Sequence, residues 1–207
     1  MLKKISLIIV LLIAGRSYSQ NDGAANTGLS FLKTGVGARE ISMGEAVSSI
    51  TDDASAVYYN PARLFSGADN NVTLMHNASV VDYTIDYIGA KVKWTKFAFG
   101  IGIHSATVSD IEIRNQPGAL IDKFTMRDLS IGVSLGYRLS KTITIGVTPK
   151  FLYEKIYVDE ASGLAFDLGA NYTKGNLNLS FVFANLGEIN ELKNQITKLP
   201  AYIRFGG

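Results

Sequence analysis

The sequence predicts an all-β chain: a transmembrane antiparallel β-barrel behind a short, partly helical N-terminal hatch. Three observations predict it. From about residue 71 onward, apolar residues alternate with small or polar ones at the period of a strand. The alternating runs are about nine to thirteen residues long, which a tilted strand needs to cross a bilayer. Short turns and longer connections alternate along the chain, as periplasmic turns and extracellular loops do in bacterial outer-membrane barrels.

The N-terminus reads "MLKKISLIIVLLIAGRSYSQ". Lys3 and Lys4 precede an apolar run over 5–15, too short to span a bilayer as a helix, and Ser17 and Ser19 form a small-x-small cleavage site. Residues 1–19 therefore read as a secretory signal peptide cleaved before Gln20; the alternative is an uncleaved anchor. The 207 residues, 47% hydrophobic and 18% charged, suffice for one domain with a core. Loss of Lys3, Lys4 and Arg16 leaves 17 basic against 18 acidic residues, a formal charge of −1. No clustered basic excess marks a nucleic-acid partner. The chain has no cysteine, which excludes disulfides, thiolate metal sites and a lipid-modified cysteine. No later run of eighteen apolar residues offers a transmembrane helix. An exported chain of this kind is periplasmic, secreted or a membrane barrel.

Residues 20–69 form the expected hatch. Their centre is "GVGAREISMGEAVSSITDDASAVYYNPARL", residues 35–64. Ala38, Arg39 and the residues to about Met43 predict a short helix that Gly44 limits. Residues 47–50 read as extended. Asp52 or Asp53 is the expected N-cap of a helical turn over 54–58, and Asn60 with Pro61 ends it, because a residue before proline avoids the helical region. Gly35, Gly37 and the other small residues suit close packing. The segment is expected at the periplasmic barrel mouth, as a lid or plug.

Eight strands are expected at about 71–79, 84–94, 97–105, 127–139, 142–154, 163–173, 176–184 and 200–206. In the clearest run, Leu129, Ile131, Val133, Leu135, Tyr137 and Leu139 share one face, and Ser130, Gly132, Ser134, Gly136 and Arg138 the other. Phe97, Phe99, Ile101 and Ile103 oppose Ala98, Gly100, Gly102 and His104, and the runs around 143–151, 164–168 and 177–183 repeat the division. Pro149 lacks a ladder donor and predicts a bulge or local irregularity. Short turns fall at Thr95 with Lys96, Ser140 with Lys141, and 173–175; longer connections fall at about 105–126, 155–162 and 185–199. Trp94, Phe97, Tyr137 and Tyr172 lie near the short turns, where an aromatic girdle belongs. A soluble sandwich or lipocalin-like barrel also alternates, but its outer face is rich in charge. Here the non-apolar face is mostly Gly, Ser, Ala, Asn and Thr, which suits a barrel interior. A barrel of eight strands is nearly filled by its own side chains, leaving little room for a hatch. The chain also stops at "YIRFGG", inside a strand-like run. The expectation is the N-terminal part of a larger barrel; the alternative is a small closed barrel with its N-terminal segment outside.

Two stretches resemble the PorV/PorQ family of outer-membrane proteins, within the FadL-like barrel group. "FLKTGVGAREISMGEA" is similar to that family's opening motif, and "DDASAVYYNPARL" to its second. "LPAYIRFGG" resembles its Leu-Pro-x-x-x-Arg-x-Gly run. The strongest likeness covers about residues 29–65. Glu45 and Arg63 stand where the family commonly has glycine. The resemblance implies a barrel of about fourteen strands, an even number within the bacterial range, of which about eight are present. It implies a non-enzymatic binding and assembly role in type IX secretion, in the outer membrane. The partners implied are membrane lipid, secreted cargo and components of the secretion apparatus. FadL-like relatives instead pass hydrophobic compounds through the barrel wall, which is the alternative function. The residues it marks, all structural, are Gly35, Gly37, Ala38, Arg39, Met43, Gly44, Asp52, Asp53, Asn60 and Pro61.

Catalytic chemistry finds little support. His104 and Ser105 are adjacent on a strand, face opposite sides, and cannot pair as base and nucleophile. Asp52 and Asp53 read as helix-start partners rather than paired acids. Asp82 and Asp86 flank the first long-loop turn and offer at most a cation contact. No metal and no cofactor is expected. Extracellular loops 106–126 and 185–199 are the expected cargo-contacting surfaces.

Overall fold

The computed structural model describes residues 27–67, 70–79, 82–115, 117–192 and 197–207. The expected signal peptide and the first part of the hatch, 20–26, lie outside them. The described residues are all-β apart from short helical turns: one antiparallel sheet of eight strands in the order β1 to β8. The strands are β1 Asn70–Ala78, β2 Tyr83–Lys93, β3 Phe97–Ile113, β4 Asp122–Arg138, β5 Ile143–Ile156, β6 Asp159–Lys174, β7 Leu177–Ile189 and β8 Tyr202–Gly206. Before them come a 3-10 turn Ser30–Lys33, helices α1 (Ala38–Ser42) and α2 (Ala56–Tyr59), and a second 3-10 turn Pro61–Phe65.

The sheet is curled. The five-residue turn Pro61–Phe65 packs against β2, β3, β4, β5 and β6. Five adjacent strands in a flat sheet span about 19 Å, whereas five residues of 3-10 helix rise about 10 Å. The strands therefore bend around the turn. Glycines let them close in: a Cβ at Gly146 would sit 2.4 Å from the Pro61 carbonyl carbon.

Exposure follows the alternation. On the convex face Phe97, Ile101, Val133, Phe151, Leu168 and Phe181 are exposed; on the concave face Ser134, Thr148, Ser180 and Val182 are buried. The core lies between the concave face and the N-terminal segment. Leu29, Phe31 and Leu32 pack with Ile85, Ala106, Leu152, Ala165 and Ile189. Ala56, Val57, Leu64 and Phe65 pack with Ala98, and Val36, Val47 and Tyr59 with Tyr87.

Several expected boundaries are corrected. The connection expected at 105–126 is mostly strand, because β3 and β4 stay paired out to Ile113 and Asp122. The connection expected at 155–162 is a two-residue turn at Tyr157 and Val158, with Tyr157 in the left-handed region. Likewise β7 runs on to Ile189, into the connection expected at 185–199. Backbone hydrogen bonds continue past the apolar residues, so strands outlast their apolar pattern. Pro149 interrupts the β4–β5 ladder without shifting its register. The bulges occur instead between Val108 and Ile111 in β3, where Asp110 has φ 56, and opposite Phe166 and Leu168, where Asn185 of β7 has φ 59.

Candidate functional site: the N-terminal segment against the concave sheet

The first motif is built from close approaches. Gly35 N–H donates to Glu45 Oε1 at 3.1 Å, and a Cβ on Gly35 would meet that carboxylate at 2.6 Å and the Tyr59 hydroxyl at 2.8 Å. Gly37 caps α1 with φ 84, a conformation glycine adopts freely, and its N–H points to Met75 Sδ of β1 at 3.1 Å. Ala38 opens α1 on the exposed side. Exposed Arg39 pairs with Asp52 at 2.6 Å, and that hydrogen bond raises its pKa further. Met43 is the C-cap, largely exposed, and Gly44 follows with φ 64, so the helix ends where expected. Glu40 is buried beneath α1, and burial raises its pKa.

The second motif differs in detail. Residues 47–50 form a turn rather than an extended piece, closed by Thr51 N–H to Val47 O at 2.8 Å. The helix starts later than expected, at Ala56, with Ser55 at its N-cap position. Asp53 accepts the Ser55 N–H at 2.9 Å just ahead of it, and its second oxygen accepts the Thr73 hydroxyl of β1 at 2.9 Å. Asp52 is no cap: its side chain holds Arg39 and its carbonyl accepts buried Lys91 Nζ at 2.7 Å. Asn60 is extended and ends α2; its side chain accepts Ala62 N–H at 3.0 Å and donates to Ser48 O at 2.9 Å. Pro61 then starts the second 3-10 turn.

The third motif meets the other two. Arg204 of β8 lies over the rings of Tyr58 (5.1 Å), Tyr59 (4.9 Å) and Tyr202 (4.8 Å), and reaches Glu45 at 3.6 Å. Burial pushes the phenol pKa values of Tyr58 and Tyr59 upward, so both rings stay neutral and the contact is cation–π. Tyr59 also accepts Val36 N–H and donates to Val36 O. Glu45 has φ 60; its left-handed backbone explains why glycine suits this position, and its two polar contacts offset the strain. Gly206 faces Ser48, where a Cβ would meet Ser48 Oγ at 2.4 Å. Beneath this contact, Lys150 of β5 pairs with Asp167 of β6 at 2.7 Å, both buried, and Lys150 also donates to Asn185 Oδ1. The Asn185 N–H at the bulge donates to Asp167 at 2.7 Å, and its side-chain amide to Pro200 O at 3.2 Å.

The segment expected at one mouth of the sheet runs along its height. Leu29 to Leu32 lie at the long-connection end, whereas Phe65 stands under Arg138, at the short-turn end, at 4.6 Å. His104 is on the concave face among Phe31, Tyr58 and Tyr87, while Ser105 donates to Asp128 O at 3.2 Å. Asp86 pairs with His76 at 2.6 Å and Asp82 takes φ 53 at the turn. Of the expected residues, the structure joins Gly35, Gly37, Arg39, Asp52, Asp53, Asn60 and Pro61 to the sheet or to each other; Ala38, Met43 and Gly44 shape α1 at its outer side. Sequence reasoning missed Tyr58, Tyr59, Lys91, Lys150, Asp167 and Arg204 as the groups that seat the segment. For Lys91, Lys150, Asp167 and Arg204 the signal was a charged residue on an otherwise small, polar strand face; for Tyr58 and Tyr59 it was an aromatic pair just ahead of Asn60 and Pro61. What the arrangement does is hold a folded segment against a curved wall. No protein-family model matches the chain, and no curated protein is significantly similar to it.

Proposed function

We propose that this chain forms the plugged wall of an outer-membrane β-barrel of the PorV/PorQ kind. Its role is non-catalytic: binding and delivery of exported proteins in type IX secretion. The observation that carries the membrane reading is the inverted exposure. Large apolar side chains cover the convex face, and small or polar ones are buried against the N-terminal segment. In water such a face is an aggregation hazard; against lipid it is the required surface. On β4 the apolar outward residues run from Leu129 to Leu139, about 33 Å of strand, or about 25 Å of height at a tilt near 40°, the band a barrel presents to lipid. Closing such a wall requires partners for the outer edges of β1 and β8, each paired on one side among the described residues.

The family reading draws support from the meeting of the three stretches that carry the resemblance, through Glu45, Tyr58, Tyr59 and Arg204. Passage of hydrophobic compounds through a lateral opening is the weaker reading. The β4–β5 ladder keeps its register across the interruption at Pro149, and Ser134 and Thr148 bond across it at 2.7 Å, which favours a closed wall beside the segment. The β3–β4 hairpin, which continues past the apolar band, supplies the rigid arm for a partner protein. The test is envelope fractionation with heat-modifiable gel mobility, followed by assay of surface delivery of secreted proteins in a strain lacking residues 114–121. Recovery as a detergent-free soluble protein sinks the membrane reading. Normal delivery without the hairpin tip sinks the role given to it.

A further inference from the structure

The short-turn end of the sheet is electropositive. Two of its turns carry Lys96 and Lys141, and the strand ends beside the three turns carry Lys91, Lys93, Arg138 and Lys174. From 87 to 109, from 129 to 153 and from 168 to 187 the chain has no carboxylate. Acidic residues gather toward the other end, at Asp110, Glu112, Asp122, Asp159 and Glu160.

At this basic end the second 3-10 turn does not fill the space inside the sheet. A cavity of about 390 Å³ remains, within the range of small-ligand sites. Arg63 enters it from the N-terminal segment, Arg138 from the end of β4 and Lys141 from the β4–β5 turn, and no carboxylate lines it. Each cation is presented rather than neutralised. Arg63 spends its Nε on Thr51 O at 3.1 Å, leaving the rest of the fork, and Arg138 is steadied over the Phe65 ring at 4.6 Å. The nearest acid acting on Arg63, Asp52, is already paired with Arg39 at 2.6 Å. The Thr144 hydroxyl and Asn171 complete the polar wall, and Asn171 Oδ1 is buried without a hydrogen-bond partner.

We infer that this cavity is a binding site for a phosphate group, entering from the short-turn side. Two guanidinium forks and one ammonium match a doubly charged oxyanion, which accepts several charge-assisted hydrogen bonds at once. The low-dielectric walls and the basic rim concentrate such an anion at the entrance. The phosphate of a soluble ester and that of a lipid headgroup at the rim present the same chemistry to the site.

The experiment uses the full chain folded in zwitterionic detergent, titrated calorimetrically with inorganic pyrophosphate, and the same chain in phosphatidylcholine nanodiscs with and without phosphatidylglycerol. Saturable pyrophosphate binding is expected, weakened about tenfold by either Arg138→Gln or Lys141→Gln, the scale of one lost charge-assisted contact. Lys174→Gln, at the neighbouring end of β6 outside the cavity lining, leaves binding unchanged. Binding of phosphatidylglycerol alone, with the same dependence on the variants, identifies the headgroup as the source and supports the site. Absence of saturable binding to either probe overturns the inference. So does equal weakening by Lys174→Gln, which would make the effect a diffuse field rather than a site. Lys141 is an exposed turn residue, so its variant keeps the test valid if Arg138→Gln folds poorly.

Discussion

Val133→Arg tests the physical claim on which the functional reading rests. Val133 lies on the convex face of β4, half exposed at 51%, opposite Ile101 of β3, itself 47% exposed. The apolar outward run on β4 extends from Leu129 to Leu139, so Val133 stands within one residue of its middle. A cation at the bilayer midplane of a barrel costs about 2–4 kcal/mol, and one near the interface about 0–1 kcal/mol. Leu139, 56% exposed beside the short β4–β5 turn, provides the interfacial control. If lipid covers this face, Val133→Arg loses about 3 kcal/mol and Leu139→Arg under about 1 kcal/mol. If water covers it, neither costs more than about 0.5 kcal/mol, since exposed substitutions away from structural features are nearly neutral. The assay is reversible urea unfolding in lipid vesicles, read from midpoints at constant slope. Equal, small effects at both positions would refute the lipid-facing assignment, whatever the fold. A large effect at Leu139 with none at Val133 would place the band wrongly along the strand.

Three other outcomes follow from the contacts. Arg204→Gln removes the stacking on Tyr58 and Tyr59 and the Glu45 contact, at a cost of about 2–3 kcal/mol for partly desolvated cation–π pairs. Hydrogen exchange should show protection at Val36 and neighbouring amides falling by about 30- to 100-fold, with the β3–β4 ladder unchanged. Asp167→Ala strands the Lys150 ammonium with Asn185 and costs about 3–5 kcal/mol, whereas Lys150→Met with Asp167→Leu recovers most of that loss. Urea midpoints measure both. Glu40 has its pKa raised chiefly by burial, so the folded segment binds its proton more tightly than the unfolded one does. Its contribution is complete below the unfolded carboxyl range and is lost as pH rises through the folded pKa. Exchange protection of the segment should therefore increase on acidification from neutral pH, and Glu40→Gln should abolish that dependence.

The strand faces were legible because the information is local. Alternation puts Val133 and Ser134 on opposite sides whatever they meet, and the outward and inward sets agree with their exposure. Gly44 and the Asn60–Pro61 pair marked helix ends for equally local reasons: one favours the left-handed backbone, the other excludes the helical one. The far ends of β3, β4 and β7 were not legible, because pairing beyond the apolar band is held by backbone hydrogen bonds that leave no side-chain period. Pro149 interrupts its ladder, the local irregularity that a missing donor predicts, whereas the Asn185 bulge was not legible, because an inserted residue needs no proline to mark it.

The sequence by itself determined the all-β class, the number of strands and the side of each that carries the apolar groups. Only the tertiary structure decided that the N-terminal segment runs along the inside of the curved sheet, that Asp52 holds Arg39 while Asp53 holds β1, and that Arg204 is seated among tyrosines from the other end of the chain. The first set depends on periods of two residues. The second depends on which distant groups the curvature of eight strands brings within reach, and no local pattern encodes that.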